Sequence, residues 1–147
     1  MREIKFRGKY KYNPTGWVYG SGVVTVVDDI MCTPTERKVL VSWCDLATDK
    51  YGEDTFGYFE VIPETIGQYT GFKDSNGVEI YEGDLVADAD YHVGEVYWNE
   101  CMGRYDIYWK TGIDGTSRTH PIDWLNYNNA RFFTVVGSIH DEAKSND

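Results

Sequence analysis

The sequence predicts an all-β protein with little helix. No long segment places apolar residues at the i, i+3, i+4 and i+7 positions of a helix face. Short runs that alternate apolar with polar residues recur instead, separated by turn-forming residues. Aromatic residues make up 16% of the chain, and such side chains favour the half-buried surface of a sheet. We expect a small SH3-like β-barrel or roll in the C-terminal half and a β-hairpin layer in the N-terminal half.

The first predicted element is a hairpin over residues 3–27. Phe6 and Tyr10 lie in a run that alternates aromatic with basic residues, as in a strand with one solvated face. Asn13-Pro14-Thr15-Gly16 has the residues of a tight turn, because Pro fixes φ and Gly accepts a positive φ. The segment 17–27 is apolar and rich in Val, so it is predicted to be the returning strand.

The rest of the N-terminal half alternates polar loops with short strands. Residues 28–38 are polar and contain a proline, so they are predicted to form a loop. Residues 39–43 predict a short buried strand, and residues 45–57 a second loop. A strand at 58–62 ends at a proline, after which residues 63–67 suit one helical turn.

The C-terminal half begins with the densest turn signals in the chain. Asp74-Ser75-Asn76-Gly77 predicts either a two-residue type I′ loop or a type I turn followed by a bulge at Gly77, and both require φ > 0 at Gly77. Residues 112–119 are predicted to be a polar loop, and residues 121–127 suit a helical turn. Five strands are predicted, the number in an SH3-like barrel, at 78–81, 85–88, 93–98, 104–110 and 132–139.

The length and these elements predict two parts. A chain of 147 residues is the size of one ordinary domain, or of two small units that share a core. We place the N-terminal hairpin and β layer at residues 1–62 and the small barrel at residues 63–147.

Charge is unevenly distributed along the chain. The formal net charge is −10, which disfavours broad binding to a phosphate backbone. The first residues are nevertheless basic, and with one aromatic residue they form a candidate interaction surface: Arg2, Lys5, Arg7, Lys9, Lys11 and Trp17. Three interpretations are open: a strip that tracks a nucleic-acid strand by charge and stacking, a merely solvated hairpin face, or a contact with the acidic body of another copy.

Candidate reactive residues do not form a convincing constellation. Asp88, Asp90 and His92 are spaced by two and would share one face of an extended segment, as metal ligands do. A solvated loop between strands is the preferred interpretation, because no second cluster supplies the remaining ligands. Adjacent His140 and Asp141 would project in opposite directions from a strand. We therefore predict no catalytic, cofactor-binding or metal-binding residues, no cofactor and no enzymatic activity.

The tryptophans and cysteines fit a structural role. Most large aromatic residues of small barrels lie in a core or interface, although a ligand-binding wall is an alternative for Trp43, Trp98, Trp109 and Trp124. The three cysteines contain no Cys-x-x-Cys pair, and no apolar run has the length of a signal peptide or a membrane span. A cytoplasmic protein with reduced thiols, in the host cell, is the simplest expectation.

Several segments form a recognisable set: MREIKFRG at the start, Trp17–Gly20, Pro63–Gly71, Asn76-Gly77 with Glu79–Asp84, and Val136–His140. Together they resemble the YopX family, proteins of phages and prophages, mostly of Gram-positive hosts. The resemblance implies a small SH3-like β-barrel fold and a phage context. It implies no reaction and no catalytic residues.

The function expected from these features is that of a phage or prophage accessory protein that works without catalysis. It would act through protein–protein contacts, as a homo-oligomer or with a host protein. The alternative is a role linked to nucleic acid. In one version the basic hairpin binds single strands, and in the other the acidic body imitates DNA and blocks a host protein.

Overall fold

The structure, a computed structural model, describes residues 3–30, 33–44, 55–110, 116–123 and 133–141. These residues form twelve strands and one 3₁₀ turn, Pro63–Thr65, with no α-helix among them. The strands are β1 Phe6–Tyr10, β2 Asn13–Gly20, β3 Gly22–Ile30, β4 Thr33–Cys44, β5 Thr55–Val61, β6 Gly67–Lys73, β7 Glu79–Tyr81, β8 Asp84–Ala87, β9 Val93–Asn99, β10 Arg104–Lys110, β11 Ser117–Pro121 and β12 Thr134–Ser138. The all-β class predicted from the sequence is confirmed.

The chain divides into two compact units, Glu3–Gln68 and the part from Tyr69 onward, so the boundary lies inside β6. The first unit contains an antiparallel sheet in the order β3-β4-β5-β1-β6, and β2 pairs with β1. Its buried apolar residues include Leu40 and Val61. A Cβ atom on Gly8 would lie 3.0 Å from the Cβ of Val61, so the absence of a side chain at Gly8 lets these two strands pack closely.

Two predictions for the first unit are wrong. Asn13-Pro14-Thr15-Gly16 lies in β2 and is not the turn of the first hairpin; the reversal is at Lys11 and Tyr12, and a bulge follows Lys9. Asn13 lies opposite Tyr10 and Trp17 opposite Lys9, so Pro14 falls in the bulge of β2, where the ladder does not require its N–H. The predicted single strand 17–27 is two strands that meet at Ser21.

The predicted loop at 28–38 is also wrong, because β3 and β4 form one long hairpin. Their register runs without interruption from Gly22 opposite Val41 to Ile30 opposite Thr33. Much of its outer half is solvated, so the alternation that marks a half-buried strand is missing there. A salt bridge between Arg37 and Asp28 joins the two strands where apolar contacts are few.

The second unit contains a five-stranded antiparallel sheet in the order β11-β10-β9-β8-β12. Ile80, Val86, Val96 and Ile107 are fully buried at the centre of its core, which also includes aromatic residues. Four of the five predicted barrel strands lie in this sheet, whereas β7 pairs with β6. The fifth strand is β11, which corrects the predicted loop at 112–119 for the described residues 117–119.

The turn at 74–77 has the second of its two predicted forms. Gly77 has φ +79°, its N–H donates to the carbonyl oxygen of Asp74 at 3.1 Å, and the Asp74 N–H donates to Val78 at 2.8 Å. This is a type I turn with Gly77 in the bulge position. The 3₁₀ turn at Pro63–Thr65 likewise confirms the helical turn predicted within 63–67.

Candidate functional site

The predicted basic surface is not a row of exposed charges. Arg7 and Lys9 are only 6% and 5% exposed, and both cations lie over the Trp17 ring, at 4.1 Å and 4.3 Å from its centroid. Lys5 is in a 3.1 Å salt bridge with Glu3. Arg2 lies outside the described residues. Buried cations that contact an aromatic face stabilise the strand pair and offer little to a partner in solution.

Lys11 belongs to a second charged cluster, centred on Glu60. The Lys11 ammonium lies 2.5 Å from Glu60 Oε1, and the Tyr12 hydroxyl donates to Oε2 at 2.9 Å. Arg37 lies 3.6 Å from the same carboxylate. The Lys11 hydrogen bond is the largest cause of a lowered Glu60 pKa, which the Tyr12 hydrogen bond and the positive charges of Lys11 and Arg37 lower further. The cluster therefore ties the turn between β1 and β2 to β4 and β5 at neutral pH.

Glu60→Gln should make the stability of the protein less dependent on pH. A carboxylate whose folded pKa is lowered stabilises the fold above its unfolded pKa, and this contribution is lost as pH falls through the folded pKa. The variant should be less stable than wild type at pH 7, and the difference should shrink as pH falls below about 4. Urea unfolding at both pH values measures this. The exposed Glu36→Gln is the control, and an equal pH effect in that variant would contradict the role of Glu60.

An exposed sheet edge is the first candidate functional surface. β3 lies at the end of its sheet and, in the described part of the chain, pairs only with β4. Val23, Val24 and Val27 are 37%, 45% and 57% exposed. Strand edges of soluble proteins normally carry lysine, proline or a bulge that prevents pairing with another chain. β3 has none of these over its length, GVVTVVDDI.

The inner face of the five-stranded sheet is the second candidate. Residues directly opposite each other in antiparallel strands point to the same face. Val86 lies opposite Gly94, Gly94 opposite Trp109, and Trp109 opposite Arg118. One row thus runs across four strands, from the apolar core to an exposed arginine on β11. Gly94 makes room for this row, because a Cβ atom there would lie 2.8 Å from the Trp109 ring.

A cavity of about 360 Å³ opens on this face. Its floor is formed by Trp109 and Phe133, which are nearly buried and whose ring centroids are 5.7 Å apart. The other described residues that line it are polar: Asp88, Asp90, His92, Arg118 and His120. An apolar floor with a few polar groups at the rim is the usual make-up of a small-molecule site.

The loop between β8 and β9 supplies part of the polar rim, and Asp88, one of its two aspartates, accepts hydrogen bonds from the loop itself. Asp88 Oδ1 accepts hydrogen bonds from the N–H groups of Asp90 and His92, and Oδ2 lies 3.1 Å from His92 Nδ1. Tyr91, at the end of the loop, is 88% exposed and has φ +63°. Among the described residues, no three His, Cys, Asp or Glu side chains are grouped closely enough to hold a metal ion. Asp88 and His92 thus close a loop.

Residues of the turn-rich segment 74–84 hold the second unit together. Asp84 is 1% exposed and accepts a 2.8 Å hydrogen bond from the Tyr81 N–H. Gly83 has φ +86°, and its carbonyl accepts bonds from Ser138 Oγ at 3.2 Å and from the Ile139 N–H at 2.9 Å. This segment is thus structural, and it brings the turn and β12 together.

The remaining candidates are divided between core and surface. Trp109 belongs to the core, whereas Trp98 is 41% exposed and packs edge-on against Tyr105. Cys101 is an exposed free thiol. The side chain of Trp43, and Trp124 as a whole, lie outside what the structure describes. Sequence reasoning missed Arg118 and Phe133 as cavity residues. Arg118 reaches the cavity through the pairing of residues 117–121 with β10, which no sequence signal marks.

The family model for YopX protein matches residues 26–144 of the chain. The chain belongs to the YopX family. The crystal structure of protein EF1440 from Enterococcus faecalis is similar, with 21% identity over 93% of both chains and a TM-score of 0.50. At that identity the likeness concerns the fold alone. A search of the curated proteins finds no match. Within the residues that the structure covers, no helix is long and apolar enough to cross a membrane.

Proposed function

We propose that this YopX-family chain is a phage or prophage accessory protein that acts in the host cytoplasm through protein–protein contacts, without catalysis. Its first partner is a second copy of itself, which adds its β3 strand to the β3 edge of the first. The open, valine-rich edge of β3 is the observation that carries the proposal. Addition of a strand to a free edge is a general mode of recognition, because backbone hydrogen bonds supply affinity and side chains select the register.

The charges on β3 favour an antiparallel arrangement of the two copies. With Thr25 at the centre, Val23 faces Val27 of the other copy and Val24 faces Val26. Asp28 then faces Gly22, so the acidic ends of the two strands lie apart. A parallel arrangement would place like charges side by side, which is destabilising. The strand is therefore complementary to itself in one direction only.

The two edges of the five-stranded sheet are protected in the described residues. β11, at one end of the five-stranded sheet, contains Arg118 and Pro121. β12, at the other end, has an irregular register between Val135 and Gly137. Charge, proline and bulges each discourage strand addition. In β3 the two charged residues, Asp28 and Asp29, lie towards one end, and residues 22–27 contain neither a charge nor a proline. That contrast supports a role for this part of the β3 edge in binding.

Carboxylates of the kind that acid–base catalysis uses are engaged in structural bonds, which supports the proposal that the protein acts without catalysis. Asp74 and Asp88 bind backbone N–H groups of their own loops. Asp106 is 1% exposed and binds Asn99 at 2.7 Å and Arg104 at 2.8 Å. The partner proposed here is therefore a β-strand edge of another polypeptide chain.

Light scattering coupled to size-exclusion chromatography tests the proposal. Wild type at tens of micromolar should have about twice the chain mass of 16.9 kDa. Val24→Lys together with Val27→Lys should yield a folded single copy, because two ammonium groups per edge oppose pairing. Tyr58→Lys is the matched control, since Tyr58 is 71% exposed on an inner strand and its loss should leave the mass unchanged.

The proposal is wrong if wild type remains a single copy at 100 micromolar concentrations, on the order of those used for weak complexes. It is equally wrong if Tyr58→Lys separates the copies and the β3 variant does not.

The single-strand version of the nucleic-acid alternative is less favoured, because Arg7 and Lys9 are buried beside Trp17. The DNA-mimic version stays compatible with the net charge of −10.

A further inference from the structure

We propose that the β3–β3 dimer binds a divalent oxyanion, such as sulfate or hydrogen phosphate, on its two-fold axis, between the Lys38 ammonium groups of the two copies. The inference rests on the proposed function, because the site exists only when two β3 edges pair. It follows from one hydrogen bond in the first unit and from the register of the two paired strands.

Lys38 extends its ammonium group towards the open edge of the sheet. Lys38 on β4 lies directly opposite Thr25 on β3, and its Nζ donates a hydrogen bond to Thr25 Oγ1. Both side chains therefore lie on the same face of the sheet. Since β3 is the last strand of that sheet, the hydrogen bond places a cation beside the free edge.

The register of the dimer brings two of these cations together. With Thr25 at the centre of the antiparallel pair, it faces Thr25 of the other copy. Directly opposite residues have Cβ atoms about 5 Å apart, and each ammonium is bonded to its own Thr25, so the two nitrogen atoms lie roughly 5–10 Å apart. That separation is comparable with the Debye length of about 8 Å at physiological salt. The two charges therefore repel each other across the axis.

The same groups provide hydrogen-bond donors that converge on the axis. An ammonium has three N–H donors, and Thr25 accepts from one of those of Lys38. The Thr25 hydroxyl is the acceptor of that bond, so its own O–H can donate to a ligand. Two ammonium groups and two hydroxyl groups thus surround one point. An anion with two charges and several acceptor oxygens satisfies these donors and cancels the repulsion.

The neighbouring positions on this face also favour an anion. Val23 and Val27 lie on either side of Thr25 on the same face, and in the dimer each faces the other across the interface. Their apolar side chains displace water near the axis, which strengthens interactions between charges. Glu36 is on the same face but lies opposite Val27, roughly 10 Å from the axis. Its exposed carboxylate is therefore screened more strongly than the two ammonium groups.

Sedimentation velocity at neutral pH and constant ionic strength tests the inference. Replacing part of the chloride by about 10 mM sulfate should tighten the wild-type dimer at least about threefold, because a divalent anion bridges two cations that chloride only screens. Sulfate at that concentration is too dilute for its general strengthening of apolar burial. Lys38→Met should form a dimer at least as tight as that of wild type in chloride, without a response to sulfate. Lys38→Arg, which keeps the charge, should respond.

Lys110→Met is the matched control, because it removes an exposed cation from β10 in the second unit. Its dimer should respond to sulfate as the wild-type dimer does. The inference is overturned, while the proposed function stands, if sulfate leaves the wild-type dimer unchanged or if Lys38→Met responds as strongly as wild type. A wild-type chain that remains a single copy in both salts overturns the proposed function and this inference together.

Discussion

Asp74→Ala is expected to lower the free energy of unfolding by about 3–4 kcal/mol, because several backbone donors lose their acceptor together. Asp74 Oδ1 accepts from the N–H groups of Asn76 and Val78, each at 2.8 Å, and Oδ2 accepts from Val135 at 2.9 Å. The first two bonds hold the turn, and the third holds β12 across a long sequence separation. Chemical denaturation of the wild type and the variant measures the loss.

Asp74→Asn separates the two roles of the carboxylate. Its side-chain oxygen can still accept from Asn76 and Val78, whereas its NH₂ group would face the Val135 N–H, donor against donor. We expect roughly half of the alanine effect. A loss below about 1 kcal/mol in Asp74→Ala would show that the turn stands without its aspartate.

Gly94→Ala is expected to cost about 2–3 kcal/mol through overpacking. The new Cβ would lie 2.6 Å from Ile107 Cγ2 and 2.8 Å from Trp109 Cε3. Ile107 is fully buried and Trp109 is 5% exposed, so neither can move aside freely. Thermal or urea unfolding measures the loss, and the near-ultraviolet spectrum should report a displaced Trp109.

Gly22→Ala is the control for a generic glycine effect. Nothing lies within 4 Å of a Cβ atom at Gly22, so this change should be neutral or slightly stabilising. Equal losses in the two variants would contradict the packing explanation for Gly94.

The parts of the fold that the sequence predicts well have one buried face. β10 is predicted at 104–110 and observed at Arg104–Lys110, because Tyr105, Ile107 and Trp109 alternate with more polar residues and all three are buried. The turn at Gly77 is predictable for a different reason, since only a positive φ closes it and glycine alone adopts that conformation at little cost. The residues within the strand β10 and within the turn at Gly77 thus determine their own local structure.

The parts that the sequence does not predict depend on distant partners. The residues near Asp28 and Glu36 form a solvated ribbon, so nothing in their local pattern marks a strand. Arg7 and Lys9 are buried because the Trp17 ring lies over them, and that contact requires the β1–β2 register. Cations in an alternating strand are ordinarily solvated, so the sequence alone suggested an exposed surface.

The candidate cavity is the least predictable feature. Asp88, Asp90 and His92 stand out by their spacing, but Arg118 joins them only through the pairing of β11 with β10. Register in a sheet follows from which face is buried, and Ser117–Pro121 has little apolar character to reveal it. Three of the five polar residues described at the rim thus stand out in the sequence. Of the floor, Trp109 was named there as part of a possible aromatic wall, and Phe133 was not.

The open β3 edge also sets the size of the proposed assembly. Two copies that pair through the same strand, β3, are related by a two-fold axis. In that dimer each β3 edge is covered by the other copy, so neither edge can bind a third. The proline in β11 and the irregular register of β12 oppose growth from those strands of the second unit. Polymerisation into fibres would require a second adhesive edge, so association should stop at a closed dimer even at high expression.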